Sequence, residues 1–399
     1  MGEVKFLEGN HAAAYGVKLS RPDVIAAFPI TPQTPLVEHL ADMHVASELG
    51  NCVYQRTESE HSSMSHCVGA SAAGGRAFTA SCSQGIAYMT EVLWMASGFR
   101  LPIVMAVVNR GLAAPGTLQA EQGDSLQQRD IGWLQLYCES PQEALDMMIQ
   151  AYKLAEDERV YLPVMVCYDG YTTSHTATPV TIPEQDKVDG FLPPYKHKYI
   201  YLDPNDPREV GVAGPKSGRQ LEIRLQMENI MQDCLDIIDN NDKEYAGLFG
   251  RSYGGVVEEY RTEGADAVIF TMGAITGTSR VVIDEYRNKG HKIGLVKIRS
   301  FRPYPTKRIQ EIASKVKAIG VIDRNFSLGS AGGGVGALEV GRAIVNMDKH
   351  PKLISFITGL GGRDVVPDNI RYCCDQVLKT AATGKVEYEV EWVGLKEEE

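Results

Sequence analysis

Residues 26–35 read A-A-F-P-I-T-P-Q-T-P, and the fold is decided by how this stretch is read. Before it, residues 23–28 form a short apolar run suited to a buried strand; after it, Leu36, Leu40 and Met43 recur at helical spacing. Pro29, Pro32 and Pro35 fix φ and remove backbone donors, so the stretch cannot be absorbed into either flanking element. It is a stiff strand-to-helix turn that carries the hydroxyls of Thr31 and Thr34. In an open α/β sheet ligands bind outside the carboxyl ends of the strands, where such turns lie. The competing reading is an ordinary proline-rich turn with an N-cap threonine.

The chain around this turn has 399 residues, a length that suits roughly two or three domains. Its 44% hydrophobic content is ample for real cores. Acidic residues outnumber basic ones by 51 to 40, and a formal charge of -11 argues against a dedicated nucleic-acid surface. No apolar run approaches the roughly 18 residues of a membrane span, and the start M-G-E-V-K has no secretory apolar region, which points to the cytoplasm. The eight cysteines form no C-x-x-C pair, and the nine histidines show no ligand spacing around them, so neither an iron–sulfur cluster nor a structural zinc is expected in this chain.

Apolar runs at residues 24–28, 77–82, 103–108, 133–138 and 160–167 alternate with helical patterns at 36–49, 61–73, 85–97 and 141–157. The last helix starts clearly, with Ser140 as N-cap, Pro141 at the first helical position and Glu143 closing a capping box. Such alternation implies a parallel sheet covered on both faces. From about residue 172 to 261 the pattern fails amid prolines, and only residues 221–239 read as a sustained helix; this is a long arm, since a structureless insert of that length suits no compact domain. A second α/β unit opens at Asp266, with strands expected at 267–272, 293–298, 318–323 and 353–357 and helices at 277–289, 306–316, 334–346 and 367–381. Residues 387–399 look like a solvated acidic tail. Glycine loops at 329–336 and 359–362 follow two of these strands; a phosphate cradle needs more signature than they carry, and tight helix packing is the better reading.

Two segments carry chemistry. Residues 56–61 read R-T-E-S-E-H ahead of the small-residue helix V-G-A-S-A-A-G-G. Carboxylates two apart in an extended segment point to opposite faces, so only one of Glu58 and Glu60 faces a given pocket; alternatively they are an acidic helix start that complements the dipole. Residues 108–115 read V-N-R-G-L-A-A-P at the end of a buried strand. Arg110 is placed there to bind an anion bidentately, with Gly111 and small residues leaving room, or else to pair with Glu121, Asp124 or Asp130.

The motifs F-P-I-T-P, E-S-E-H-S, G-A-S-A-A-G, N-R-G-L-A-A-P, G-D-S, R-D-I-G-W and F-R-P-Y-P occur in that order over nearly the whole chain. They resemble the α subunit of multisubunit 2-oxoacid:ferredoxin oxidoreductases, the pyruvate:ferredoxin oxidoreductase family. The resemblance implies two thiamine-enzyme-like parallel-sheet domains: a pyrimidine-side α/β domain over residues 1–177 and a transketolase-C-like domain over 263–385, joined by an arm over 178–262 and followed by a tail over 386–399. It implies thiamine diphosphate as cofactor, with Glu60 protonating N1′ of the pyrimidine and Pro29 and Ile30 beside the cofactor. It implies that Thr31 is the substrate-binding threonine and Arg110 the substrate-carboxylate arginine, with Asn109, Gly111 and Asp124 alongside. It also implies oxidative decarboxylation of a 2-oxoacid with coenzyme A to acyl-CoA, CO₂ and reduced ferredoxin, catalysed only with partner subunits of the β, γ and δ types.

No G-D-G diphosphate motif occurs, and the sole G-D, at Gly123–Asp124, continues with Ser125. The resemblance therefore puts Mg²⁺, the diphosphate and the [4Fe-4S] clusters on partner chains, with no metal on this one. Gly111 and Ala113 stand where the pyruvate-type pattern commonly has Ala and Ser, which would suit a larger acyl group, as in a phenylglyoxylate or arylpyruvate enzyme. Thr31 stands where oxalate-cleaving relatives have arginine and argues against oxalate. A reading of another class is a non-catalytic scaffold, which would have no use for Glu60, Thr31 and Arg110 together.

Overall fold

A computed structural model of the chain describes residues 2–113, 115–199, 202–207 and 218–396. The apolar runs become the core of a seven-stranded sheet in the order Ser300–Arg302, Leu134–Cys138, Val164–Asp169, Val104–Asn109, Ala77–Ser81, Val24–Ala27, Val53–Arg56. All neighbours are parallel except Ser300–Arg302, which runs antiparallel to Leu134–Cys138. Both faces of the central strands are buried, as near-continuous apolar runs require. The helices Thr34–Val45, Glu60–Ala72, Ser83–Gly98 and Pro141–Glu156 lie close to their expected positions. The helix Gly9–Leu19 was not expected; its buried Ala12, Ala13 and Ala14 pack against Pro141–Glu156 and give little apolar signal.

The second unit is a six-stranded sheet in the order Val390–Trp392, Lys352–Ile357, Ala318–Asp323, Ala267–Thr271, Ile293–Ile298, Val257–Tyr260, parallel except for the last strand. The tail is therefore corrected in part: residues 390–392 are a sheet strand, and residues 397–399 lie outside the described ones. Glu391 faces inward and accepts a hydrogen bond from Tyr372 Oη at 2.6 Å, so a carboxylate occupies a position that the acidic composition assigned to solvent. The arm contains Thr178–Ile182, antiparallel to Glu3–Leu7, and a helix that runs over Gln220–Phe249 rather than stopping at residue 239. Its buried stripe continues in polar residues that find partners: Asn241 Nδ2 donates to the Gln150 carbonyl at 3.0 Å, and Tyr245 Oη to Asp146 at 2.7 Å. Gly250, at φ 73°, caps it. Residues 208–217 of the arm lie outside the described ones.

The two sheets are joined by buried charge. Ser140 Oγ accepts the Glu143 N–H at 3.2 Å, as expected of an N-cap, but the Glu143 carboxylate does not close a capping box on Ser140. It accepts instead from the Glu139 N–H at 2.8 Å and from Lys297 Nζ at 2.6 Å, and Arg299 Nε stands 3.4 Å away. Lys297 and Arg299 come from the second unit and are each 1% or less exposed. Against the downward push of burial, the carboxylates of Glu143 and Glu139 hold the Lys297 ammonium above its usual value. The glycine loop 329–336 is settled as packing. Asp323 accepts the N–H groups of Gly336 at 2.9 Å and Ala337 at 3.0 Å, and a Cβ on Gly334 would stand 2.2 Å from its Oδ2. The helix N-terminus is thus filled by the protein's own carboxylate, which burial pushes up to about 6.

Glu143→Gln should destabilise the chain by about 1.5–3 kcal/mol, because it removes the carboxylate shared by two buried cations and leaves Lys297 to Glu139 and Arg299 to Asp242. Lys379→Ala, which breaks the exposed pair with Glu387, should cost under about 1 kcal/mol. Thermal-unfolding midpoints of the two variants, compared with wild type, check the contrast.

Candidate active site

Four connections at the carboxyl end of the seven-stranded sheet converge. The proline-rich turn follows Val24–Ala27, and its Gln33 Nε2 donates to the Ala80 carbonyl at 2.8 Å, which docks the turn on the neighbouring strand. Pro29 and Thr31 are exposed there, and Ile30 is half-buried. The side chain of Thr31 points out of the core, while its carbonyl accepts from Arg110 Nη1 at 2.9 Å and from the Cys82 thiol at 3.2 Å.

Arg110 ends the strand Val104–Asn109 as expected. Its Nε donates to the Thr117 carbonyl at 2.7 Å and its N–H to Asp124 Oδ2 at 3.0 Å. The alternative ion pairs are not formed: among the described residues no carboxylate lies within salt-bridge distance of its guanidinium. Two backbone carbonyls hold the cation in place without neutralising it, which leaves its charge for an incoming anion. Asn109 and Asp124 are buried beneath this position and act as supports. Asp124 Oδ1 accepts from Asn109 Nδ2 at 2.8 Å and from the Ser125 N–H at 2.8 Å, and Oδ2 from the Ser83 N–H at 2.8 Å. Burial pushes the Asp124 carboxyl upward, opposed by these hydrogen bonds.

Glu60 is the first residue of its helix, behind the N-cap Ser59, and is 8% exposed, whereas Glu58 is exposed and accepts from Ser62 Oγ. The buried member of the pair is therefore Glu60. Among the described residues its carboxyl has no hydrogen-bond partner. It lies over Gly85, where a Cβ would stand 2.8 Å from its Oε1 and 2.3 Å from Ser81 Oγ, itself a buried hydroxyl without a partner. A buried, unpartnered carboxyl beside an unpartnered hydroxyl is a donor set that fits a heterocycle nitrogen and not a phosphate. This chain's residues thus suit the pyrimidine end of thiamine diphosphate.

Several residues of the site were not anticipated. Ser83, at φ 47°, puts its N–H on Asp124 and its Oγ 2.7 Å from the Gly111 carbonyl. Gly85 makes room for Glu60, and Thr117 orients Arg110 through its carbonyl. Only Gly85, a glycine just inside a helix, left a trace in the sequence. A Cβ on Gly111 would stand 2.7 Å from Thr117 Cγ2 and 3.0 Å from Glu121 Oε2, so its smallness also serves the packing of the loop. Among the described residues no group of three or more His, Cys, Asp or Glu is arranged to hold a metal, and no helix is long and apolar enough to cross a membrane. The eight cysteines are free and buried.

Residues 15–243 match the family model described as pyruvate flavodoxin/ferredoxin oxidoreductase, thiamine diphosphate-binding, and residues 265–370 match pyruvate:ferredoxin oxidoreductase core domain II. The chain is 46% identical to pyruvate synthase subunit PorA of Methanocaldococcus jannaschii, over 100% of this chain and 99% of that one. It is 43% identical to the PorA of Pyrococcus furiosus over 98% of both, and 40% identical to ketoisovalerate oxidoreductase subunit VorA of Pyrococcus horikoshii over 98% of both. Its fold is that of 2-oxoglutarate:ferredoxin oxidoreductase from Magnetococcus marinus, with a TM-score of 0.73 at 20% identity over 94% of this chain and 66% of that one. A split-gene transketolase aligns with a TM-score of 0.55 at 13% identity, over 94% of this chain and 99% of that one. Full-length identity of this order, on a fold whose strand ends bring Thr31, Arg110 and Glu60 into one group of loops, means that the chain belongs to the pyruvate flavodoxin/ferredoxin oxidoreductase family.

Proposed function

We propose that the chain is the α-type subunit of a pyruvate-oxidising complex, which with coenzyme A forms the acyl-CoA, CO₂ and reduced ferredoxin. The observation that carries the reading is the Arg110 guanidinium: held by two carbonyls, unneutralised by any described carboxylate, at the strand ends where this fold class binds ligands. The relatives named for pyruvate support the choice of substrate over an aryl 2-oxoacid, and the packing of Gly111 on Thr117 and Glu121 weakens one of the two residues, Gly111 and Ala113, that suited a larger one. A scaffold role is not favoured either, because the relatives are named as subunits of enzymes and a scaffold has no use for Glu60, Thr31 and Arg110 together.

In this reading Arg110 and the Thr31 hydroxyl hold the 2-oxoacid carboxylate, while Asn109 and Asp124 fix the backbone beneath. Thiamine diphosphate, when bound, supplies the carbon nucleophile and the electron sink. Glu60 meets its pyrimidine, beside Pro29 and Ile30, and holds or passes one proton at its carboxyl, a task for which exclusion from water suits it. The diphosphate, Mg²⁺ and the [4Fe-4S] clusters belong to partner subunits of the β, γ and δ types. Two features support that division: this chain lacks a G-D-G motif, and the helix N-terminus after its longest glycine loop is filled by Asp323. The complex works in the cytoplasm.

In the assembled complex, Glu60→Gln should lower kcat by about 100-fold or more while subunit assembly is unchanged, since an amide cannot exchange the proton. Glu58→Gln should stay within about twofold, given that it faces solvent. Steady-state kinetics of both variants test the assignment, and a reversed order would transfer the role to Glu58. Arg110→Lys should raise KM for pyruvate about 10-fold or more with bound thiamine unchanged, because an ammonium does not match the carboxylate fork. Loss of thiamine instead would make Arg110 part of the cofactor pocket.

A further inference from the structure

The glycine loop 359–362 has no part in the chemistry above, yet it touches the segment that holds Arg110. It folds as a 3₁₀ turn, Leu360–Gly362, entered through Gly359 at φ 74°, with Gly361 at φ 57° and Gly362 at φ 81°. Three left-handed glycines in four positions allow a backbone to approach closely. What they approach is residues 117–121. The Gly362 N–H donates to the Ala120 carbonyl at 3.3 Å, and a Cβ on Gly362 would stand 2.2 Å from Gln119 Cβ. Burial pushes the Glu121 carboxyl upward, and the backbone of Gly361 draws it back.

Arg324 completes the clasp. Its carbonyl accepts the Gln122 N–H at 2.9 Å, its Nε donates to the Gly359 carbonyl at 3.1 Å, and its Nη1 lies 3.7 Å from Asp169 at the end of a strand of the first sheet. The clasped segment supplies the Thr117 carbonyl that orients Arg110 Nε, and the Gln119 carbonyl that accepts the Gly111 N–H at 3.1 Å. A movement of the turn would therefore be transmitted to the guanidinium through one short loop.

We propose that the glycine turn 359–362 of the second unit is a positioning element for Arg110, so that the grip on the 2-oxoacid carboxylate is set by the docking of the second unit on the first. The proposal rests on the substrate role of Arg110. It assigns Gly362, Gly361 and Glu121 as positioning residues, none of which touches the substrate.

The test uses the complex assembled from all its subunits, with pyruvate as the varied substrate. Gly362→Ala should raise KM by about 10- to 100-fold, the scale of a small misplacement of a binding group, with kcat lowered by less and bound thiamine unchanged. In that background Gln119→Gly, which removes the opposing Cβ but not the strain of Ala at φ 81°, should restore part of the KM, whereas Gln119→Ala, which keeps that Cβ, should restore none. Glu121→Ala adds no bulk, removes the carboxylate that the Gly361 backbone stabilises, and should raise KM about threefold or more; it carries the test if Gly362→Ala does not assemble. A wild-type KM in either Gly362→Ala or Glu121→Ala overturns the proposal, as does a loss of thiamine that accounts for the whole effect. Arg110→Ala is run in parallel. A wild-type KM there overturns the substrate role of Arg110 itself; a raised KM there with a wild-type value in Gly362→Ala overturns only the role of the turn.

Discussion

The site depends on one buried carboxylate. Asp124 is 1% exposed and accepts four hydrogen bonds, from the backbone of Ser83, Arg110 and Ser125 and from the Asn109 side chain. These donors belong to different connections: the entry to the helix Ser83–Gly98, the end of the strand Val104–Asn109 and the short turn that carries Asp124 itself. A buried anion with unfilled lone pairs is expensive, so each connection is drawn to it and fixed relative to the others. Glu60 and Arg110 inherit their placement from this arrangement. The stretch 82–85 touches both, through Gly85 under the Glu60 carboxyl and through the Cys82 thiol and the Arg110 Nη1 donor that share the Thr31 carbonyl.

Most of the sheet cores were legible in the sequence because an unbroken apolar run bounded by turn residues has few stable solutions other than a buried parallel strand. The failures have a common cause. Asn241, Asp242 and Tyr245 continue the buried stripe of the long helix, and Glu391 is buried on the edge strand of a sheet, yet none of the four carries an aliphatic signal. Each is tolerated because it finds a hydrogen-bond partner outside its own element, and such partners leave no periodic signal. The site shows the same limit. Arg110, Thr31 and Glu60 stand out as residue types beside glycine and proline. The groups that aim them, the carbonyls of Thr117 and Thr31 and the N–H of Ser83, are backbone atoms that every residue carries.

Glycine is used in two different ways in the second unit. In the loop 329–336 it allows Asp323 to lie against a helix N-terminus, so that the dipole is neutralised from within the chain. In the turn 359–362 it allows one unit's backbone to reach the other's. Composition alone does not separate these uses from a phosphate cradle; what occupies the N–H groups does.

The strand Ser300–Arg302 pairs with Leu134–Cys138, although its own unit builds a separate sheet. Until those residues leave the ribosome, the edge of the first sheet is an unpaired ladder of donors and acceptors beside a fully buried apolar strand. The last seam of the N-terminal unit therefore closes only after three strands of the next sheet have been made. In biosynthetic terms the chain is guarded late, and an N-terminal fragment cut within the arm is born with a sticky edge that the intact polypeptide covers with its own later sequence.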